Sequence, residues 1–268
     1  MTLLLDKSTA PPHACAGADG YVIKVASGSL AKKYHWKERS YVAEVRALRA
    51  VASPWIVQLV ACCSESRCCW QTLYDGDLLQ VLTDVFPSVV QDGNFKLHVA
   101  TSLLRALETC HAAGIVHRDV KPENILFKTY PRSYVLCDFG RAVFLADENS
   151  EEMLDFSAQE ISVPFSGTYS YASPEALMGK CRCSNDCWSA GVVIYTIIEK
   201  QMPYDHPSGE EEKTLPRIPT LDKSGPWPSW GEDLLMGLFR EDHTLRWDAS
   251  RALRQLASTS ETSAQLRL

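Results

Sequence analysis

The chain has 268 residues, enough for one large domain or a two-lobed unit with a sizeable core. Its 46% hydrophobic and 22% charged composition sits at the globular average, which excludes wholesale disorder. A net charge of −6 argues against nucleic-acid binding and favours basic partners.

The first third reads as short strands separated by turn residues: "TLLLD", "HACA", "YVIKVA", "IVQLVACC" and "CCWQTLY". "MTLLLDKSTAPP" lacks the basic leader and apolar core of a secretory signal, and no apolar run approaches the roughly 18–20 residues that cross a bilayer. The expectation is therefore an intracellular protein, cytoplasmic or nuclear, with no membrane partner and with its ten cysteines mostly as free thiols. Cys62, Cys63, Cys68 and Cys69 are spaced CC-x4-CC, a poor match to zinc-binding pairs. They fit better as small apolar residues on two strands joined by a turn over Ser64–Arg67. A single helix interrupts the strands in "KERSYVAEVRALRAV", where Tyr41, Val45, Leu48 and Val51 recur at helical spacing beside Glu44.

From about residue 76 the chain turns helical. "FKLHVATSLLRALETCHAAGI" carries an apolar period through Leu97, Leu104 and Leu107 and stops at Gly114. Two short strands, "ILF" and "YVLC", follow, and then the acidic loop "ADENSEEMLDFSAQE". "CWSAGVVIYTIIEK" is the most apolar helix, and "WGEDLLMGLFR" and "DASRALRQLAS" close the chain as helices.

The chemistry concentrates in "HRDVKPEN", residues 117–124, and in "DFG", residues 138–140. Phosphoryl transfer needs a carboxylate to orient the attacking hydroxyl, a cation on the phosphate and oxygen ligands for magnesium. Asp119, Lys121 and Asn124 supply those types within six residues, and Asp138 adds a carboxylate at a strand end before a glycine that permits a sharp turn.

With those motifs the sequence resembles the eukaryotic protein kinase family, serine/threonine branch, over nearly its whole length. The resemblance implies an α+β bilobal fold: a five-stranded N-lobe with one helix at about 1–73, a hinge at about 71–77 and a mainly helical C-lobe at about 78–258, together one kinase domain spanning 1–268. It implies ATP and Mg2+ as cofactors and protein serine or threonine hydroxyls as acceptors. By that resemblance Asp119 is the catalytic base, Lys121 contacts the γ-phosphate, and Asn124 and Asp138 bind magnesium. Asp77 would meet the ribose, which places Trp70 at the back of the adenine pocket. "GTYSYASPE" at 167–175 resembles the substrate-docking loop with Ser173 in place of the usual alanine, and Glu175 would pair with Arg246. Thr168 and Lys121 point to the serine/threonine branch, and Glu123 to a basic residue in the substrate. Asp186 would brace the catalytic loop's backbone, and Arg118 implies phosphorylation in the following segment at Ser157, Ser162 or Ser166.

The family's nucleotide grip is a lysine on the third strand paired with a glutamate on the N-lobe helix. The spacing to Glu44 and the likeness of "YVIKVA" to the family's strand favour Lys24. Lys32 and Lys33 leave little chain in which to finish a strand and start a helix. With Lys24 as the grip, "KSTAPPH" becomes a phosphate loop without glycine, poor in the N–H donors that phosphate needs. The other placement makes "CAGADGYV" the loop and gives the role to Lys32 or Lys33. A glycine-free loop is also the feature that would suit a pseudokinase, a binding module that kept the fold without catalysis.

Overall fold

The computed structural model describes residues 20–24, 30–35, 37–83, 94–145, 159–204 and 228–258. Four described strands form one antiparallel sheet: β1 (Gly20–Lys24), β2 (Leu30–His35), β3 (Leu59–Cys63) and β4 (Cys68–Thr72), in the order β1-β2-β4-β3. "YVIK" therefore pairs with "LAKKYH", a strand the sequence reading did not anticipate, and the expected strands "TLLLD" and "HACA" lie outside the described residues. The turn at Ser64–Arg67 joins β3 to β4 as expected, with Arg67 in the left-handed region at φ 46°.

Helix α1 (Glu38–Ala50) covers one face of this sheet. Its Tyr41, Val45 and Leu48 are buried, as the helical spacing predicts, and Tyr41 and Val45 pack on Cys69 of β4. The helix ends at Val51, which is extended, three residues before Pro54. The chain beyond it docks on the other lobe: Val57 donates to the Leu136 carbonyl at 3.0 Å, and Leu136 donates to the Trp55 carbonyl at 2.9 Å.

That other lobe is mainly helical. After β5 (Gly76–Asp77) come α2 (Leu78–Leu82) and the long α3 (Phe95–Ala112), which stops where Gly114 takes φ 67°, a value that suits glycine. Then follow β6 (Ile115–Val116), β7 (Ile125–Lys128) and β8 (Ser133–Leu136). β7 pairs with both β5 and β8, while β6 pairs with β9 (Val143–Phe144). β10 (Ile161–Ser162) pairs with β11 (Lys180–Cys181), flanking the short α4 (Pro174–Leu177). Helix α5 (Cys183–Glu199) is apolar nearly all round and is buried accordingly, with Trp188 fully enclosed. α6 (Gly231–Leu238) and α7 (Ala249–Ser258) close the lobe. One continuous core runs from Leu48 and Val57 through Phe139 to Leu256, so the two lobes share it.

The indole of Trp247 lies directly on α6 at Gly237, where an added Cβ would fall 2.1 Å from the ring. Alanine would gain about 1 kcal/mol of helix propensity, but the clash should cost the upper part of roughly 1–3 kcal/mol. Gly237→Ala is therefore expected to lower stability in urea unfolding, and an unchanged or raised midpoint would show that Trp247 can move away freely.

Candidate active site

The segment after β6 is shaped by one buried carboxylate. Asp186, on the first turn of α5, accepts the backbone N–H of His117 at 2.8 Å and of Arg118 at 2.9 Å, and the His111 ring N–H at 3.0 Å. Burial alone would raise its pKa, but these donors and the His111 ring outweigh it and hold the carboxyl below the usual range. Arg118 sits at φ 70°, a conformation that costs a non-glycine residue about 1 kcal/mol. The two backbone bonds to Asp186 hold it there. The His117 ring donates to the Cys137 carbonyl at 2.9 Å and meets Phe139 edge-on at 4.7 Å, which ties this loop to the Asp138–Gly140 turn.

Asp119, Lys121 and Asn124 come together as the sequence predicts. Thr168 donates to Asp119 Oδ1 at 2.9 Å and accepts from Lys121 Nζ at 3.0 Å. Lys121 Nζ is also 3.7 Å from Asp119 Oδ2, and Arg141 Nε lies 3.5 Å from the same oxygen. The Asn124 amide N–H donates to the Asp119 carbonyl at 2.7 Å. With its nitrogen engaged, Asn124 keeps its amide oxygen as a hard ligand atom. Arg141 was not singled out by the sequence reading; it follows "DFG" directly, and only the fold brings it to Asp119.

Asp138 lies just beyond β8 in the left-handed region, φ 62°, which an aspartate tolerates. Its Oδ1 accepts from Lys33 Nζ at 2.7 Å and from the Gly140 N–H at 3.4 Å. Lys33 Nζ also donates to Glu44 Oε2 at 2.9 Å. This corrects the Lys24 assignment. Glu44 is paired with Lys33 of β2, whereas Lys24 ends the neighbouring strand β1 opposite Ala31. The spacing argument fails because β2 ends at His35 and α1 begins at Glu38, so two residues make the whole connection. Burial would depress the Lys33 pKa, but Asp138 and Glu44 raise it above the ordinary lysine value. Burial would likewise raise Asp138, yet the Lys33 charge holds it well below the carboxylate range.

Gln71 completes the cluster, donating from Nε2 to Glu44 Oε1 at 2.7 Å. Lys33 pairs with Cys69 across β2 and β4, so Cys69 and Gln71 share the face under α1 and Trp70 alternates to the other. Gln71, not Trp70, therefore sits beside the lysine–glutamate pair. Asp77 caps α2 by accepting the Gln80 N–H at 3.0 Å, and burial raises its pKa.

The segment 167–175 is fixed by Glu175, which pairs through both oxygens with the Arg246 guanidinium. Asn185 donates to Glu175 at 2.9 Å and to Ser173 Oγ at 2.7 Å. Ser173 thus gains a purpose the usual alanine could not serve: its hydroxyl also caps α4, accepting the Ala176 N–H at 3.3 Å.

The sequence matches the protein kinase domain family over residues 15–256. The chain belongs to that family. It is 31% identical to calcium-dependent protein kinase 2 of Arabidopsis thaliana over 182 residues, which cover 63% of this chain and 26% of that protein. It is 35% identical to the serine/threonine-protein kinase PKH3 of Saccharomyces cerevisiae, over 48% of this chain and 15% of the yeast protein. A serine/threonine-protein kinase of Drosophila persimilis aligns with 92% of the chain at 27% identity, over 31% of its own length. The chain thus spans less than a third of each of these relatives. "KSTAPPH" precedes the family match, whereas "CAGADGYV" falls inside the match and ends in β1 of the kinase domain.

Asp138, Glu175 and Asp186 all have folded pKa values below their unfolded ones. Their stabilisation is therefore complete above the ordinary carboxylate pKa of about 4 and is lost as pH falls through and below it. Urea midpoints should stay level between neutral pH and about 6 and drop below about 4, less steeply for Asp138→Asn. A chain that gained stability on acidification would contradict this site electrostatics. Arg246→Ala leaves Glu175 buried and unpaired and is expected to cost about 3–5 kcal/mol by chemical denaturation.

Proposed function

We propose that this chain is an ATP- and magnesium-dependent protein kinase acting on serine or threonine hydroxyls. The observation that supports this reading most is that two constellations are assembled at once: Asp119 within reach of Thr168 and Lys121, and Lys33 bridging Glu44 and Asp138. Asp119 would orient the acceptor hydroxyl and take its proton, while Thr168 and Lys121 keep its carboxylate from rotating away. Lys121 would steady the transferring phosphoryl group. Lys33, held by Glu44, would contact the α- and β-phosphates. Asn124 and Asp138 form a hard oxygen pair suited to magnesium, which when bound would neutralise charge on the phosphates. Asp77 would meet the ribose.

Glu123 supports a preference for a basic residue in the substrate. Its side chain is 29% exposed at the loop edge, with one carboxylate oxygen 3.9 Å from Lys121. Among the described residues no helix is long and apolar enough to cross a membrane.

Lys33 and Lys24 make the sharpest test. With labelled ATP, magnesium and a mixed protein substrate, Lys33→Met should lose about 10²–10³ in kcat, the effect of removing a charge-stabilising group. Lys24→Met should stay close to the unaltered chain, and Asp119→Asn should lose about 10²–10⁴. Label on serine or threonine that needs Lys33, Asp119 and magnesium supports the proposal. Equal loss in the two lysine variants would overturn the Lys33 assignment, and no transfer by the unaltered chain would overturn the enzymatic reading.

A further inference from the structure

Four cysteines stand in two facing pairs on the β3–β4 hairpin, well apart in sequence from the catalytic motifs. The antiparallel register sets Cys62 opposite Cys69 and Cys63 opposite Cys68. Residues directly opposite each other in antiparallel strands have Cα atoms about 4.5 or 5.5 Å apart. Both values fall within the roughly 4.4–6.8 Å that a disulfide spans.

The two pairs differ in environment. Cys69 is fully buried under α1, beside Tyr41, Val45 and Glu44. Burial first, then the Glu44 charge, pushes its thiol up to about 12, which removes it as a nucleophile. Cys63 is part-exposed, and a hydrogen bond from the Ser66 side chain holds its thiol below the usual cysteine value. Ser66 Oγ also lies 2.9 Å from Cys68 Sγ, so one hydroxyl sits against both members of this pair. Cys68 itself is buried and so shielded from bulk reagents, though it lies directly opposite Cys63.

We propose that Cys63 and Cys68 form a reversible thiol-oxidation site, closed to a cross-strand disulfide by a small-molecule disulfide of the glutathione type. The Cys63 thiolate attacks one sulfur of the oxidant, breaking its S–S bond and releasing one thiolate. The Cys68 sulfur, its proton passing to solvent, then attacks Cys63 in the mixed disulfide. The second small thiolate leaves as the Cys63–Cys68 bond forms. The two protein thiols supply two electrons in all, which reduce the oxidant to two thiols.

The test uses the full chain in oxidised and reduced glutathione buffers, quenched with an alkylating agent under denaturing conditions that expose the buried thiols, and read by intact mass and peptide mapping. The expected product is monomeric, lighter by two hydrogens, with two thiols protected from alkylation and full reversal by dithiothreitol. Trypsin cuts after Arg67, so the bond appears as two covalently joined peptides. The link should survive in Cys62→Ala/Cys69→Val and vanish in Cys63→Ser, which should alkylate fully. Because the Cys69 substitution lies in the core, fragmentation of the joined wild-type peptides assigns the same pair without any substitution. A Cys62–Cys69 bond would overturn the proposal. So would a stable mixed disulfide at Cys63 that Cys68 does not resolve, a cross-link only between chains, or no oxidation.

Discussion

A single ammonium group, Lys33 Nζ, sits between two carboxylates from opposite sides of the cleft and ties the two lobes together at the site. Removing a lysine from water is unfavourable unless it is paired. Here Glu44 comes from α1 and Asp138 from the turn after β8, so satisfying the lysine draws the helix of one lobe onto the strand end of the other. Gln71 holds the remaining Glu44 oxygen and keeps that carboxylate from turning away. The Val57 and Leu136 backbone bonds and the continuous apolar core make the same connection without charge.

Below this clamp, Asp186 acts on backbone rather than on charge. By accepting two successive N–H groups and the His111 ring it stabilises a left-handed Arg118, and so aims Asp119. Glu175 with Arg246 does the comparable work for the segment 167–175, with Asn185 and Ser173 closing the remaining hydrogen bonds. The site is therefore a set of polar side chains each oriented by a buried partner. That is the preorganisation phosphoryl transfer relies on, since positioning and electrostatics supply most of its catalysis.

How much of this could be read from the sequence depended on whether the information was local. Asp119, Lys121, Asn124 and Asp138 lie in short contiguous motifs, and α1, α3 and α5 carry their periodicity within one segment, so these were legible. The lysine partner of Glu44 was not, because it depends on which strand pairs with which. "YVIKVA" has the look of the family strand, but the pairing of its "YVIK" with "LAKKYH" puts Lys33, one strand later, against Glu44. The same kind of error moved Trp70 to the inner face: side chains alternate along a strand, so a miscount of one residue exchanges Trp70 for Gln71. Ser173 was visible as a departure from the family, while its cap and its bond to Asn185 needed the fold. Arg141 likewise had no local signal for its contact with Asp119.

The central claim is that Lys33 and Glu44 work as one unit. The most direct measurement is a double-mutant cycle on kcat/KM for protein phosphorylation, using Lys33→Met, Glu44→Gln and the two combined. Residues that act only through each other are strongly non-additive, so the double variant should lose no more than the worse single one. Losses that multiply would mean that the two residues serve separate purposes, and would contradict the account.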